Sequence, residues 1–74
     1  MKYPIYIKYN WQSGTFAIWK VIDAFSAICI HSNDSDYYHS FGHKQVMDTD
    51  DMLKQYPDLK KNILSPDELF VEMI

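Results

Sequence analysis

Arginine is absent from this chain of 74 residues, and its formal net charge is −3. All seven cations are lysines, set against ten carboxylate side chains. Arginine supplies the planar, two-point hydrogen bonds that recognise phosphates and guanine edges. Its absence from an acidic chain argues against nucleic-acid binding, which would depend on Lys2, Lys8 and Lys20 alone.

Cysteine is nearly absent as well. The single Cys29 has no partner for a disulfide within the chain. Because a secreted domain of this size usually needs such crosslinks, we expect a cytoplasmic protein. The N-terminus lacks the long apolar segment and the cleavage signature of a signal peptide. No apolar run approaches the ~20 residues of a membrane span, so we expect no membrane association.

Enzyme and cofactor motifs are missing too. The chain has no G-x-S-x-G, no glycine-rich phosphate loop, no H-E-x-x-H and no CxxC. Its length allows one small domain, residues 1–74, with a thin core. Such a core rarely encloses a substrate pocket of the usual ~300–1,000 Å³. We therefore predict that the chain is not an enzyme and that it holds neither a cofactor nor a metal.

The first half of the chain predicts three β-strands. Residues 3–9, 15–22 and 26–31 are rich in β-branched and aromatic residues and show a period of two. The segment 10–14 has the length of a hairpin loop. Both faces of 15–22 are partly apolar, as is typical of a central strand covered on both sides. Because the connections are too short for parallel crossovers, the strands should form an antiparallel meander.

The last third of the chain predicts two short helices. Asp48 is suited to cap a helix that runs through Tyr56. In Ser65-Pro66-Asp67-Glu68, serine caps, proline takes the first helical position and glutamate reaches back. Apolar residues at 69, 70, 73 and 74 then form a stripe, whose partner should be the sheet or another molecule. The predicted fold is α+β, with an antiparallel meander sheet of three to four strands followed by two short C-terminal helices packed on one face.

Two structures fit the segment between the sheet and the helices. Residues 37–47 are compatible with a fourth strand over Tyr37–Phe41 that ends at Gly42. They are also compatible with a short helical turn capped by that glycine. We favour the strand.

Histidine and carboxylate side chains collect in the same part of the chain. These metal-binding residue types are His31, Asp34, Asp36, His39 and His43. Their spacing matches no metal-binding template, so we favour a polar loop with exposed histidines. A metal- or small-ligand-binding module that uses residues 31–43 is the alternative hypothesis for function.

Cys29 and His31 would point the same way on a regular strand. A thiolate beside an imidazole is the core of cysteine catalysis. Nothing nearby supplies a third group that would orient the imidazole. We therefore interpret Cys29, which lies between two isoleucines, as an inert core residue.

Aromatic side chains are in surplus. The chain has six tyrosines, two tryptophans and four phenylalanines, of which so small a core can bury roughly half. We expect Tyr6, Trp11, Tyr37 and Tyr38 to be exposed, because they lie on the poorer face of the first strand or beside polar loops. Tyrosine and tryptophan dominate binding hot spots. The surplus therefore favours a binding surface.

The charge is unevenly distributed. Residues 1–30 carry three lysines and one aspartate, whereas residues 31–74 carry four lysines and nine acids. If these carboxylates cluster, they would attract a basic partner. The predicted partner-binding residues combine aromatic and acidic side chains. They are Tyr6, Trp11, Asp34, Asp36, Tyr37 and Tyr38.

These features favour a small cytosolic protein-binding module that acts as an inhibitor, adaptor or regulatory subunit. Toxin-neutralising immunity proteins and phage counter-defence proteins share this size and charge, an analogy that no motif supports. A structural homo-oligomer, joined through an open sheet face or an edge strand, is a third hypothesis. The surface has room for a homodimer contact beside one other partner.

Overall fold

The computed structural model describes residues 2–33 and 42–74. In these residues four strands form one antiparallel sheet in the order β1-β2-β3-β4, and short helices follow it. The strands are β1 (Ile5–Asn10), β2 (Phe16–Asp23), β3 (Ser26–Ser32) and β4 (Lys44–Val46). The helices are α1 (Thr49–Gln55), a 3₁₀ helix (Pro57–Asn62) and α2 (Pro66–Met73). The predicted α+β fold, a meander followed by short helices, is confirmed.

The side chains of β1 alternate between the two faces of the sheet, and this alternation is used to name the faces. Ile7 pairs with Trp19 of β2, and Lys8 pairs with Ile18. Because paired residues share a face and neighbours along a strand alternate, we call these the Ile7 face and the Lys8 face. On the Ile7 face, Val21 joins Ile7 in the core, against which α1 and the residues after the 3₁₀ helix pack. Ile18 and Val21 are both fully buried, as expected for a central strand covered on both sides.

A β-bulge interrupts the alternation of β3. Ile18 pairs with His31 and Trp19 pairs with Cys29, which leaves Ile30 without a partner in β2. Since Ile18 and Trp19 point to opposite faces of the sheet, so do their partners. Cys29 therefore lies on the Ile7 face and His31 on the Lys8 face. The prediction that these two side chains point the same way is wrong, because the extra residue shifts the alternation by one position.

The β1–β2 turn is closed by local hydrogen bonds. The Gly14 N–H donates to the Trp11 carbonyl at 3.1 Å, and the Trp11 N–H donates to the Thr15 carbonyl at 2.9 Å. Gly14 has a φ of +87°, a conformation that favours a residue without a Cβ. Asn33, the residue after β3, is hydrogen-bonded to this turn. Its side-chain oxygen accepts from the Phe16 N–H, and its side-chain nitrogen donates to the Gly14 carbonyl. The turn thus holds Trp11 at the end of the sheet.

The predicted strand over residues 37–41 lies outside the described residues, and β4 begins at Lys44. After β4 the chain stays beside the β2–β3 turn. The Met47 N–H donates to the Phe25 carbonyl at 2.8 Å, and the Thr49 N–H donates to the Ala24 carbonyl at 3.0 Å. These two bonds place the start of α1 against the sheet.

Both predicted helix caps are present. The side chain of Asp48 accepts from the Asp51 backbone at 3.1 Å. Ser65 and Glu68 form the reciprocal capping box, with bonds of 3.0 and 3.2 Å. The N–H of Ser65 that donates to this carboxylate lowers the pKa of Glu68 below its ordinary value. These bonds are local, which explains why the sequence motifs predict both helix starts.

The last helix, α2, contacts the protein through only part of the expected apolar stripe. Leu69 and Glu72 are half-buried, whereas Phe70, Met73 and Ile74 are exposed. Glu72 accepts from Lys8 of β1, so this ion pair turns a polar side of the helix toward the Lys8 face. Of the two partners expected for the stripe, the protein itself therefore contacts mainly Leu69, and the other three members are left exposed. In the described part of the chain, no helix is long and apolar enough to cross a membrane.

Candidate functional site

An apolar pocket of about 240 Å³ lies on the Ile7 face, at the end of the β1–β2 hairpin. One wall comes from the sheet and its turn, and the other comes from α1, the 3₁₀ helix and the residue that follows β4. We call it the aromatic pocket. Its described lining consists of Ile7, Tyr9, Trp11, Trp19, Met47, Met52 and Leu59.

The sheet side of the aromatic pocket is built from aromatic rings. Tyr9 and Trp11 lie on either side of the strand end, with ring centroids 4.7 Å apart and planes inclined by 57°. Tilted ring pairs at such distances attract each other beyond their buried area. Trp19 lies opposite Ile7 in the β1–β2 register, further along the same face. The hairpin therefore places three large rings around one opening.

The helical side of the aromatic pocket is aliphatic and sulfur-containing. Met52 comes from α1, Leu59 comes from the 3₁₀ helix, and Met47 precedes the Asp48 cap. Methionine has an unbranched, polarisable side chain that adapts to irregular shapes. No charged side chain occurs among the described residues of the lining. The pocket can therefore adjust its shape around an apolar group.

The volume of the aromatic pocket limits what it can hold. A dry cavity of ~150 Å³ binds benzene, whereas typical ligand sites enclose ~300–1,000 Å³. A pocket of about 240 Å³ lies between these values. It is large enough for one bulky apolar side chain and small for a cofactor.

A more polar groove adjoins the aromatic pocket. The two share Tyr9 and Leu59, and the groove continues past Tyr56, Asp58 and Lys61. The ring of Tyr56 is exposed. A chain that placed one side chain in the pocket would thus find polar partners along this groove.

The structure places the two described members of the predicted partner-binding set on opposite faces. Trp11 lines the aromatic pocket, whereas Tyr6 lies on the Lys8 face opposite Lys20. Both are half-buried and not exposed as we expected. Tyr6 is partly covered because the chain near Leu64 lies along β1, where the Leu64 N–H donates to the Tyr6 carbonyl at 2.8 Å. Trp11 is partly covered because its ring packs against the ring of Tyr9. The remaining four members of the set lie outside the described residues: Asp34, Asp36, Tyr37 and Tyr38. The role of the whole set in partner binding stays a prediction.

Sequence reasoning missed most of the aromatic pocket. It placed Tyr9 and Trp19 only within the predicted strands 3–9 and 15–22, and Met52 only within the helix that Asp48 caps. The available signal was the aromatic pair at positions 9 and 11, next to a turn at the end of the sheet. It did not indicate which helical residues would face that pair. Among described residues, the most exposed aromatic rings are Phe25, Tyr56 and Phe70, which were not in the predicted set.

The described histidines lie apart. His31 packs against Phe16 on the Lys8 face, with ring centroids 5.3 Å apart. His43 is exposed just before β4. Within residues 2–33 and 42–74, no three His, Cys, Asp or Glu side chains are grouped to hold a metal ion. Asp34, Asp36 and His39 lie outside these ranges, so the alternative metal-binding hypothesis stays a prediction.

Cys29 is a buried thiol. Its side chain is fully buried, and burial is the main cause of a pKa raised above the ordinary value. The thiol donates a weak hydrogen bond of 3.8 Å to the His31 carbonyl. Burial disfavours the thiolate, which is the reactive form. The His31 ring lies on the opposite face, so it is not placed to act as the adjacent base that cysteine catalysis needs.

Comparison with known proteins finds no match. No protein-family model fits the chain, and no curated protein or solved structure is similar to it.

Proposed function

We propose that this chain works by binding another protein, and that the aromatic pocket receives one bulky apolar side chain of that partner. The observation that carries the proposal is the lining, in which two tryptophans, a tyrosine and two methionines surround about 240 Å³. At protein interfaces, a few anchors seated in well-packed pockets supply most of the binding free energy. A pocket of this size and composition suits such an anchor.

The adjoining groove extends the contact. A standard interface covers ~800 Å² per partner, or roughly one sixth of the 5192 Å² surface of this protein. The aromatic pocket alone is smaller than that. The groove past Tyr56, Asp58 and Lys61 adds exposed ring surface and polar groups that pair with a partner's backbone.

The same proposal covers the biological role. A chain of 74 residues without a catalytic motif suits an inhibitor, adaptor or regulatory subunit. Its buried free thiol suits the reducing cytoplasm. The net charge of −3 favours a partner with a basic surface.

Both tryptophans of the chain line the aromatic pocket, which makes the proposal directly measurable. Peptides selected from a display library on the wild-type protein should carry an apolar anchor residue. Their binding should shift the indole N–H resonances of Trp11 and Trp19 and change the tryptophan fluorescence. Trp11→Ala should weaken binding at least about tenfold, while Trp19 continues to report on the pocket.

Phe25→Ala is the matched control, because Phe25 is an exposed ring at the β2–β3 turn and does not line the pocket. Its peptide affinity should equal that of the wild type, and circular dichroism should show that both variants are folded. Equal losses in the two variants would contradict the proposal. Saturation of the pocket by free indole, with no peptide selected, would instead favour a small-ligand module.

A further inference from the structure

Helix α2 presents its apolar side to solvent. Phe70, Val71 and Ile74 are 66%, 66% and 84% exposed. Their spacing places them on one side of the helix, together with Asp67, at positions i, i+3, i+4 and i+7. We call this set the outward face of α2. An amphipathic surface helix normally has the opposite arrangement, with its apolar stripe toward the core.

The contact between α2 and the sheet explains this orientation. Glu72 accepts two hydrogen bonds from Lys8 at 2.9 and 3.0 Å, and Leu69 is half-buried beside it. Both residues lie opposite the outward face around the helix. The capping box at Ser65 fixes where the helix begins. The apolar residues are therefore held outward by bonds that the protein makes elsewhere.

Within the described residues, the unpaired charges of α2 at the outward face are negative. Asp67 lies on that face and Glu68 lies beside it, whereas Glu72 is paired with Lys8 on the opposite side, and the helix contains no cation. Together with Leu64 and Val71 these three carboxylates line a shallow groove of about 290 Å³ along the helix. Exposed apolar surface bordered by polar groups marks contact sites on proteins. Here the border is negative.

We infer that the outward face of α2 docks an amphipathic helix of another protein, one that carries lysine or arginine beside its apolar stripe. Apolar side chains of that helix pack on Phe70, Val71 and Ile74, and its cations meet Asp67 and Glu68. A second copy of α2 would bring further carboxylates and no cation to this border. An anionic membrane surface would be repelled by the same charges. The outward face is separate from the aromatic pocket, so the inference does not depend on the proposed function.

A designed helical peptide with leucine on one side and lysine on the other is the probe. Its binding to the full chain is measured by fluorescence anisotropy, with a peptide carrying glutamate in place of lysine for comparison. The double variant F70S/I74S should weaken binding of the lysine peptide at least about tenfold. Asp67→Lys should weaken it and reduce its dependence on salt. The glutamate peptide should not bind.

F25S/V46S is the matched control, since it removes two apolar side chains of comparable exposure, 62% and 94%, at the β2–β3 turn and the end of β4. Its affinity for the lysine peptide should stay within about twofold of wild type, as should that of Trp11→Ala. An equal loss in F25S/V46S, equal binding of the glutamate peptide, or no binding by wild type would overturn the inference. So would a wild-type dimer in sedimentation that F70S/I74S makes monomeric, or binding to phosphatidylglycerol vesicles that F70S/I74S abolishes.

Discussion

Removing either charge of the Lys8–Glu72 ion pair should loosen α2 from the sheet. The lysine nitrogen lies 2.9 and 3.0 Å from the two carboxylate oxygens of Glu72. The two side chains are only 23% and 29% exposed. The same nitrogen lies 4.8 Å from the centroid of the Phe16 ring, which adds a cation–π contact. The pair joins residues that are 64 positions apart in the chain.

The expected magnitude follows from this partial burial. Two unit charges ~4 Å apart attract by about 1 kcal/mol in water and by about 4 kcal/mol at an effective dielectric constant of ~20. Ordering a lysine side chain costs up to ~2 kcal/mol. The net coupling should therefore be about 1 kcal/mol, at the upper end of the range for surface pairs. In a domain of this size, such a loss lowers the melting temperature by about 4–8 °C.

A double-mutant cycle of Lys8→Met and Glu72→Gln measures this coupling by urea and thermal denaturation. Lys20→Met is the control, because Lys20 is a half-buried lysine on the same sheet face and makes no ion pair with the described residues. The coupling should nearly vanish in ~1 M salt, where the Debye length is about 3 Å. A coupling below ~0.2 kcal/mol at low salt, or an equal cost for Lys20→Met, would refute the reasoning.

Three further predictions concern stability, pH and thiol chemistry. The Thr49 side chain is fully buried and its hydroxyl has no hydrogen-bond partner among the described residues, so Thr49→Val should raise the free energy of unfolding by about 1 kcal/mol. Thr49→Ser keeps the hydroxyl and loses a methyl group, so it should lower that free energy by a similar amount, and the opposite order of melting temperatures would contradict this account. Backbone N–H bonds from Phe25 to Asp23 and from Ser65 to Glu68 lower both carboxyl pKa values in the folded state. Their stabilisation is therefore complete above the ordinary values of 3.8 and 4.5 and is lost as the pH falls through the lowered values. As the pH falls from about 5 to about 3, the urea midpoint of D23N/E68Q should accordingly fall less steeply than that of wild type. Parallel plots of urea midpoint against pH would contradict the assignment of this stabilisation to the two carboxylates. The buried, protonated Cys29 thiol should react with iodoacetamide only as fast as the chain unfolds, and rapid labelling of the folded protein would show that this burial is wrong.

Local patterns in the sequence determined the first three strands, the β1–β2 turn and the starts of α1 and α2. The period of two that predicts strands over residues 3–9 and 15–22 corresponds to β1 (Ile5–Asn10) and β2 (Phe16–Asp23). The caps at Asp48 and Ser65 form the hydrogen bonds that their motifs predict. In each case the decisive contacts join residues close in the chain, so composition and spacing contain the necessary information.

Tertiary contacts decided where these elements face. The bulge at Ile30 separates Cys29 from His31, and it is defined by pairing with β2 and not by any residue type. The ion pair from Lys8 to Glu72 turns the apolar side of α2 outward, whereas the stripe alone left open whether the sheet or another molecule would cover it. The aromatic pocket likewise depends on a hairpin meeting two helical segments some forty residues later. Each of these arrangements is set by contacts between residues that are far apart in the sequence. They are therefore determined only when the whole chain is folded.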